Sequence, residues 1–530
     1  MSENTVKDES LISPTPFVDW CGIWPGHGGA GPDGLSWIQD PPMGELQLKV
    51  QPARWSQPFL HEKEHPWEAG AIIPLMVLRE GDRLRAWYQC TGDDGLHYDA
   101  YAESDDGLNW EKPQLGLVEY GGSTANNLLH LRSHFAIRSL FIDPSGPPEE
   151  RYKAVRVEGR YFVDGVLDPE MTFERFAEMR NAMQHEGFSG AQSSQKVEIR
   201  QTILGAVSPD ALRWTVLEKP LRDLGSRTLD GEYYVIYDED KAEYVAYHRG
   251  HLERRRAVRR STGKRFDQWG EPQFVFMPDP QDPVDVDVYG SGYCRYPGKG
   301  AGFSGTGGAF PAGGDGRDNE GIYSGKLHLM FVPFYHRTTS TVDVQLATSR
   351  DGLLWSRPER VPIIERGEYE VVYSRRDLVA LTEEEWGLPF AGARGRHDFK
   401  TFDYDKQADA SAIEWRWALW KRDRLVALEA RAEARFTMVQ RQCHGTQMRL
   451  NYETEAGGWV RVELVEPPVT PPQPVGPLPG YSLDDADPLV GDELSRVVTW
   501  NGRSDLSALK GRLVSIRIHM ARARLYSLFI

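Results

Sequence analysis

The chain is poor in cysteine, has no long apolar run and carries no excess of basic residues, and each shortage closes off a class of protein. Its four cysteines in 530 residues, Cys21, Cys90, Cys294 and Cys443, stand far apart without CxxC spacing. Neither a disulfide framework nor a cysteine-ligated zinc site is expected; buried free thiols are the plainer reading. No apolar stretch reaches the length that spans a bilayer. The net charge of −16 argues against an extended nucleic-acid or anionic-membrane surface, because phosphate binding needs clustered Lys and Arg. One basic run, Arg254-Arg255-Arg256-Ala257-Val258-Arg259-Arg260, spreads its arginines over both faces of an expected strand and reads as a solvated or ion-paired edge. The start, Met1-Ser2-Glu3-Asn4-Thr5-Val6-Lys7-Asp8, lacks the basic-then-apolar pattern of a secretory signal. As given, the chain reads as cytoplasmic, or as one from which a signal was removed. HExxH, an EF-hand loop and a Cys/His cluster are also missing, so no metal or other cofactor is expected, although an axial ion held by water and a few side chains would leave no linear signature. The glycines of 301–308 follow no strand-to-helix pattern and read as a flexible insertion.

What the chain has in quantity is 16 Trp, 22 Tyr and 52 Gly within a 40% hydrophobic composition, the leaning of a turn-rich, all-β protein large enough to bury a core. A repeat sets the architecture. Ser104-Asp105-Asp106-Gly107-Leu108-Asn109-Trp110 matches Ser349-Arg350-Asp351-Gly352-Leu353-Leu354-Trp355, Ser208-Pro209-Asp210-Ala211-Leu212-Arg213-Trp214 keeps the spacing, and 261–269 is a degenerate copy. In such a hairpin the Asp side chain accepts amides of its own turn, Gly supplies the positive φ, and Trp packs back beneath. It stabilises a blade and catalyses nothing. Alternating strand pairs precede each copy, as in 71–78 with 84–89 and 232–237 with 243–249. Units beginning near Glu68, Ser133, Asp230, Asp287 and Glu370 number five, each long enough for a four-stranded blade. A sixth is open if 20–37 contributes strands. The expected fold is an all-β, five-bladed β-propeller over 51–398, preceded by a segment (1–50) that packs on or completes it, and followed by a C-terminal β-sandwich (399–530).

In a propeller the innermost strands begin around one axial pocket. Four of the five starts carry carboxylates: Glu68, Asp230, Asp287 and Glu370. Glycosidic hydrolysis needs a proton donor for the leaving oxygen and a second carboxylate as nucleophile or as base for water, and crowding of acids raises the pKa of one of them. Asp230, Asp287 and Glu370 are the catalytic candidates, and Glu68 a substrate-binding one. The repeated triplets Tyr247-His248-Arg249 and Tyr335-His336-Arg337 offer donors for sugar hydroxyls or a substrate carboxylate, as do His61, His65 and the Arg396-His397 pair. Against each stands a structural alternative: strand-entry acids cap and turn, and the triplets equally suit inter-blade hydrogen bonds.

The segments 101–113, Leu115-Gly116, 121–127, 141–144, 150–155, 344–358 and the tail 480–506 resemble bacterial proteins similar to the glycoside hydrolase families 32, 43 and 68. The resemblance implies a five-bladed propeller with a C-terminal β-sandwich, acting on an oligosaccharide or glycoside. The family 32 nucleophile motif Trp-Met-Asn-Asp-Pro-Asn-Gly is absent, as is its Glu-Cys pair. Ile142-Asp143-Pro144 matches the Arg-Asp-Pro motif only in part, so Asp143 reads as structural and invertase activity is not implied. The expectation is a glycosidase cleaving a terminal or side-chain sugar, a furanoside or deoxysugar among the options. A non-catalytic carbohydrate-binding propeller, or a phosphorylase or lyase on the same scaffold, stays open beside it.

Overall fold

The computed structural model describes residues 14–30, 36–70, 72–94, 96–129, 137–168, 197–225, 233–297, 327–397, 413–467 and 475–530. Among the described residues strands dominate, and the helical elements are single 3-10 turns such as Pro66–Glu68 and Ser507–Leu509. None of the described helices is long and apolar enough to cross a membrane.

Five antiparallel meanders follow one another. The first holds Ile72–Glu80, Arg83–Thr91 and His97–Ser104, with Leu128 bridging Ala100. The second holds Ile137–Ile142, Tyr152–Val163 and Val197–Ser208, edged by Thr215–Val216 and Arg222–Gly225. Tyr233–Asp238, Glu243–Leu252, Arg255–Gly263 and Gln273–Phe276 make the third. In the fourth, Val286–Val288 and Tyr293–Arg295 share the inner position, followed by His328–His336, Thr341–Ser349 and Pro362–Ile364. The fifth runs Val371–Ser374, Glu385–Ala393 and Ile413–Lys421, and its outer strand is Arg54–Trp55 from the beginning of the chain.

Alternation along these strands gives every sheet two apolar faces, and the buried clusters lie between successive sheets. Met76, Trp87, Leu140 and Tyr152 join the first to the second; Phe141, Ile203, Val235 and Phe266 the second to the third; Val245, Val258, Val288 and Met330 the third to the fourth. Tyr335, Val342 and Val371 join the fourth to the fifth, and Val77, Ala86, Val379 and Trp417 return the fifth to the first. Packed in this way, with the last returned to the first, the five meanders close a ring, the fourth and fifth being joined by one parallel bridge between Val342 and Val371.

The repeated hairpins are built as their residues predict. Ser104 Oγ accepts the Gly107 amide at 2.8 Å, Asp106 Oδ1 accepts those of Leu108 and Asn109 at 2.8 Å each, and Trp110 Nε1 donates to the Gly107 carbonyl at 3.0 Å. Asp210 repeats the arrangement with Leu212 (2.9 Å) and Arg213 (2.8 Å), and Asp351 with Leu353 and Leu354. In the second copy Ala211 occupies the left-handed position at φ 62°, where the others have Gly107 and Gly352. Each carbonyl of that position also receives a donor from the preceding sheet: Trp87 Nε1 reaches Ala211 at 2.9 Å, Tyr247 Oη reaches Gly352 at 2.8 Å, and Trp417 Nε1 reaches Gly107 at 2.8 Å across the closure.

Strand pairings at both ends differ from the boundaries read off the sequence. Ile413–Lys421 belongs to the fifth blade, not to the C-terminal layer. Gln47–Val50 and Thr15–Pro16 pair with Val426–Thr437 and Leu513–Phe529, so the N-terminal segment joins the C-terminal sheet while only Arg54–Trp55 completes the ring. That sheet has seven strands, two of them 17 residues long, Arg449–Val465 and Leu513–Phe529. Residues 455–458 and 520–523 lie within these continuous strands, and the register shifts between Thr454 and Trp459. Gly458 sits there because a Cβ would meet the Arg522 carbonyl at 2.4 Å.

Candidate functional site

Inner strands run from one end of the ring to the other, and the Asp-bearing hairpins follow third strands that run the same way. The hairpins therefore lie at one end, and the inner-strand starts, with the turns 252–255 and 336–341, at the opposite one. Candidate chemistry collects at this second end, on the third, fourth and fifth blades.

Asp287, on the inner strand of the fourth blade, has no solvent exposure. Its Oδ2 accepts Arg256 Nη1 at 2.7 Å and Arg337 Nε at 2.9 Å, and its Oδ1 the Arg256 amide at 3.3 Å. Two residues on, Tyr289 turns a half-buried ring to the same corner. Arg249 and Arg256 lie over that ring, 4.7 and 5.1 Å from its centre, and Tyr373 and His397 pack against it at 5.4 and 4.8 Å. Tyr373 Oη and His397 Nδ1 are 2.6 Å apart. Burial, then the neighbouring Tyr289, pushes the Tyr373 hydroxyl up from its ordinary range. Exposed His251 is held below the usual imidazole range by partial burial and by Arg249 and Arg256.

This corner unites four of the residues marked from sequence, Asp287, Arg249, Arg337 and His397, and adds Arg256, Tyr289 and Tyr373. The added residues carried a signal of a kind: Arg256 lies in the basic run, and Tyr289 is one period of strand alternation beyond Asp287.

The other described candidates stand elsewhere. Asp230 lies outside the described residues. Glu370 is half exposed, with Arg366 at 3.9 Å, and shares no contact with Asp287 among the described residues. Glu68 is fully buried inside the first blade. It accepts Tyr88 Oη at 2.7 Å and Lys112 Nζ at 2.9 Å, while Asn127 ties Tyr88 to Trp67, so it locks a loop rather than facing a ligand. His61 is exposed in that loop, and His65 stacks on Trp67 at 4.4 Å. His248 turns inward: 6% exposed, it stacks on Tyr233 at 5.0 Å, approaches Ser261 Oγ at 3.3 Å, and burial drops its pKa to about 4. A neutral imidazole enclosed in its own blade is not a substrate donor. His336 pairs with Asp343 at 2.7 Å, a bond that raises its pKa. Asp143 is buried against Lys153 and Tyr244 Oη, the structural role expected of it.

The centre of the ring is occupied by the protein's own cation. Arg376, 2% exposed, donates to Ser139 Oγ at 2.6 Å and to the Val235 carbonyl at 3.0 Å, lies 2.7 Å from Asp377, and so ties the second, third and fifth blades. Among the described residues no three His, Cys, Asp or Glu side chains are grouped to hold a metal ion.

No protein-family model matches the chain, and no curated protein matches it. Solved structures similar to it include a β-fructofuranosidase from Schwanniomyces occidentalis complexed with fructosyl-erythritol, at 10% identity over 91% of this chain and 98% of that one, TM-score 0.38. An α-L-arabinofuranosidase from Podospora anserina in complex with cellotriose matches at 11% identity over 69% and 96%, TM-score 0.38. An N-acetylgalactosamine deacetylase from F. plautii in complex with blood group B trisaccharide matches at 12% over 71% and 96%, TM-score 0.39.

Proposed function

We propose that the chain is a glycoside hydrolase that cleaves a terminal or side-chain sugar at the end of the ring opposite its Asp-bearing hairpins. The observation that supports this is the corner around Tyr289, where three blades bring guanidinium, imidazole and phenol donors beside an aromatic face, the combination that grips sugar hydroxyls and a sugar ring. In this reading the ring, residues 51–421, is the catalytic unit, and the C-terminal sheet with its N-terminal strands supports it. Asp230 and Glu370 take the acid and base or nucleophile roles, at about 5 Å separation for retention or about 6.5–9.5 Å for inversion. Asp287 is a positioning residue, because its oxygens are spent on Arg256 and Arg337.

A second reading, a carbohydrate-binding propeller without catalysis, is favoured by the burial of Asp287, which leaves that carboxylate no access to a substrate. Screening aryl glycosides and oligosaccharides separates the two. With a cleaved substrate in hand, Asp230→Asn and Glu370→Gln are expected to lower turnover by about 100-fold or more. Full turnover in both variants would refute the assignment, and saturable binding of a sugar that is never cleaved would establish the second reading.

A further inference from the structure

Arg256 and Arg337 both end on Asp287, two guanidiniums for one carboxylate. The next acid along, Asp285, receives the Thr338 amide at 3.2 Å. Arg255, beside them, reaches the carbonyls of Val284 and Val286 and no acid among the described residues. Against Glu253, Asp285 and Asp287, the turns 252–255 and 336–341 and the strand ends beside them carry Arg254, Arg255, Arg256 and Arg337, so a chain of net charge −16 has a small local positive surplus here. The surplus is placed for use. The Arg337 side chain is 47% exposed and spends Nε and Nη2 on Asp287 and the Arg254 carbonyl, while Nη1 has no hydrogen bond among the described residues. The Arg256 side chain, 23% exposed, places Nη1 on the same carboxylate at 2.7 Å. Asp287 holds the two planar groups fixed, so that little side-chain freedom is lost when a ligand arrives.

Resting on the carbohydrate reading above, we propose that the sugar taken at this corner bears an oxyanion, a carboxylate or a sulfate ester, received by Arg337 and Arg256 beside the ring of Tyr289. The guanidinium fork matches a planar or tetrahedral oxyanion with two parallel hydrogen bonds. A neutral sugar offers acceptors but leaves the charge uncompensated.

The test is titration calorimetry of the intact chain with methyl glucuronide, methyl galacturonide, galactose 6-sulfate, methyl glucoside and methyl galactoside, at low and at high salt. At least one anionic sugar is expected to bind about tenfold or more tighter than its neutral counterpart, with the difference shrinking at high salt; the uronides and the sulfate tell the two oxyanion sources apart. Arg337→Gln should abolish the preference and Arg337→Lys retain part of it, both with an unchanged circular-dichroism spectrum. Neutral sugars bound as tightly as anionic ones would overturn this inference while the carbohydrate reading stands. A preference that survives Arg337→Gln in folded protein would also overturn it. Absence of binding to any sugar of the series would count against both.

Discussion

Replacing Asp210 with alanine isolates what the repeated hairpin contributes. Asp210 Oδ1 accepts the amides of Leu212 and Arg213 at 2.9 and 2.8 Å, and Oδ2 meets Arg213 Nη1 at 2.7 Å. Hydrogen bonds to a charged acceptor contribute about 1.5–3 kcal/mol each when enclosed. The turn is partly solvated, so the lower end applies to each amide and the exposed ion pair adds little. The expected loss is about 2–3 kcal/mol of local stability, or roughly 30- to 150-fold faster amide exchange. Hydrogen–deuterium exchange read by mass spectrometry on peptides covering 205–216 measures it directly. The degenerate copy supplies the control: Asp267 bonds the Arg265 guanidinium of its own turn in the open, and Asp267→Ala should change exchange over 261–270 by less than about threefold, the range of an ordinary surface substitution. Equal effects of the two substitutions would refute the claim that amide acceptance, rather than charge or turn composition, holds these hairpins.

Three further outcomes are expected. Ala211→Gly should raise stability by about 0.5–1 kcal/mol, because Ala211 sits at φ 62° where a Cβ is strained; Gly107→Ala should do the opposite, since its Cβ would come 3.2 Å from Leu84 Cδ1 and Trp417 Nε1, and denaturation midpoints decide both. Arg376→Met should cost about 3–5 kcal/mol by leaving Asp377 without its counter-charge at the centre of the ring, and adding Asp377→Asn should recover a large part; no recovery in the double variant would show that packing, not charge, is lost. Burial drops the pKa of His248 to about 4 and that of His328 to about 3. The unfolded chain therefore binds more protons than the folded one from about pH 6.5 down to those values, and stability should fall as the pH falls through that window. His248→Gln should flatten the fall by up to one proton's worth in a plot of unfolding free energy against pH, and an unchanged slope would exclude His248 as a contributor.

The ring was legible because its punctuation is local. Ser, Asp and Trp at fixed spacing make each hairpin from contacts within seven residues, and strand alternation does the rest. Its closure was not, because Arg54–Trp55 pairs with Ile413–Lys421, and a two-residue edge strand carries no periodicity of its own. In the C-terminal sheet, Glu455-Ala456-Gly457-Gly458 has the composition of a turn, yet a register shift carries one strand through it. At the candidate site, position along the chain identified Asp287, but only packing distinguishes a carboxylate facing a ligand from one saturated by two arginines. His248 and Arg249 show the same limit: adjacent residues on one strand point to opposite sides, and the triplet alone does not say which side holds the chemistry.

The pairing of Arg54–Trp55 with Ile413–Lys421 and the Trp417 bond to Gly107 bear on how the chain assembles. A segment near the start has to wait until about four-fifths of the sequence has been made before its partner exists. Until then the first blade has no neighbour to cover the face that bears Val77 and Ala86, and the intermediate presents apolar surface and an open strand edge. Protein truncated before residue 413 should therefore aggregate rather than fold into four independent blades.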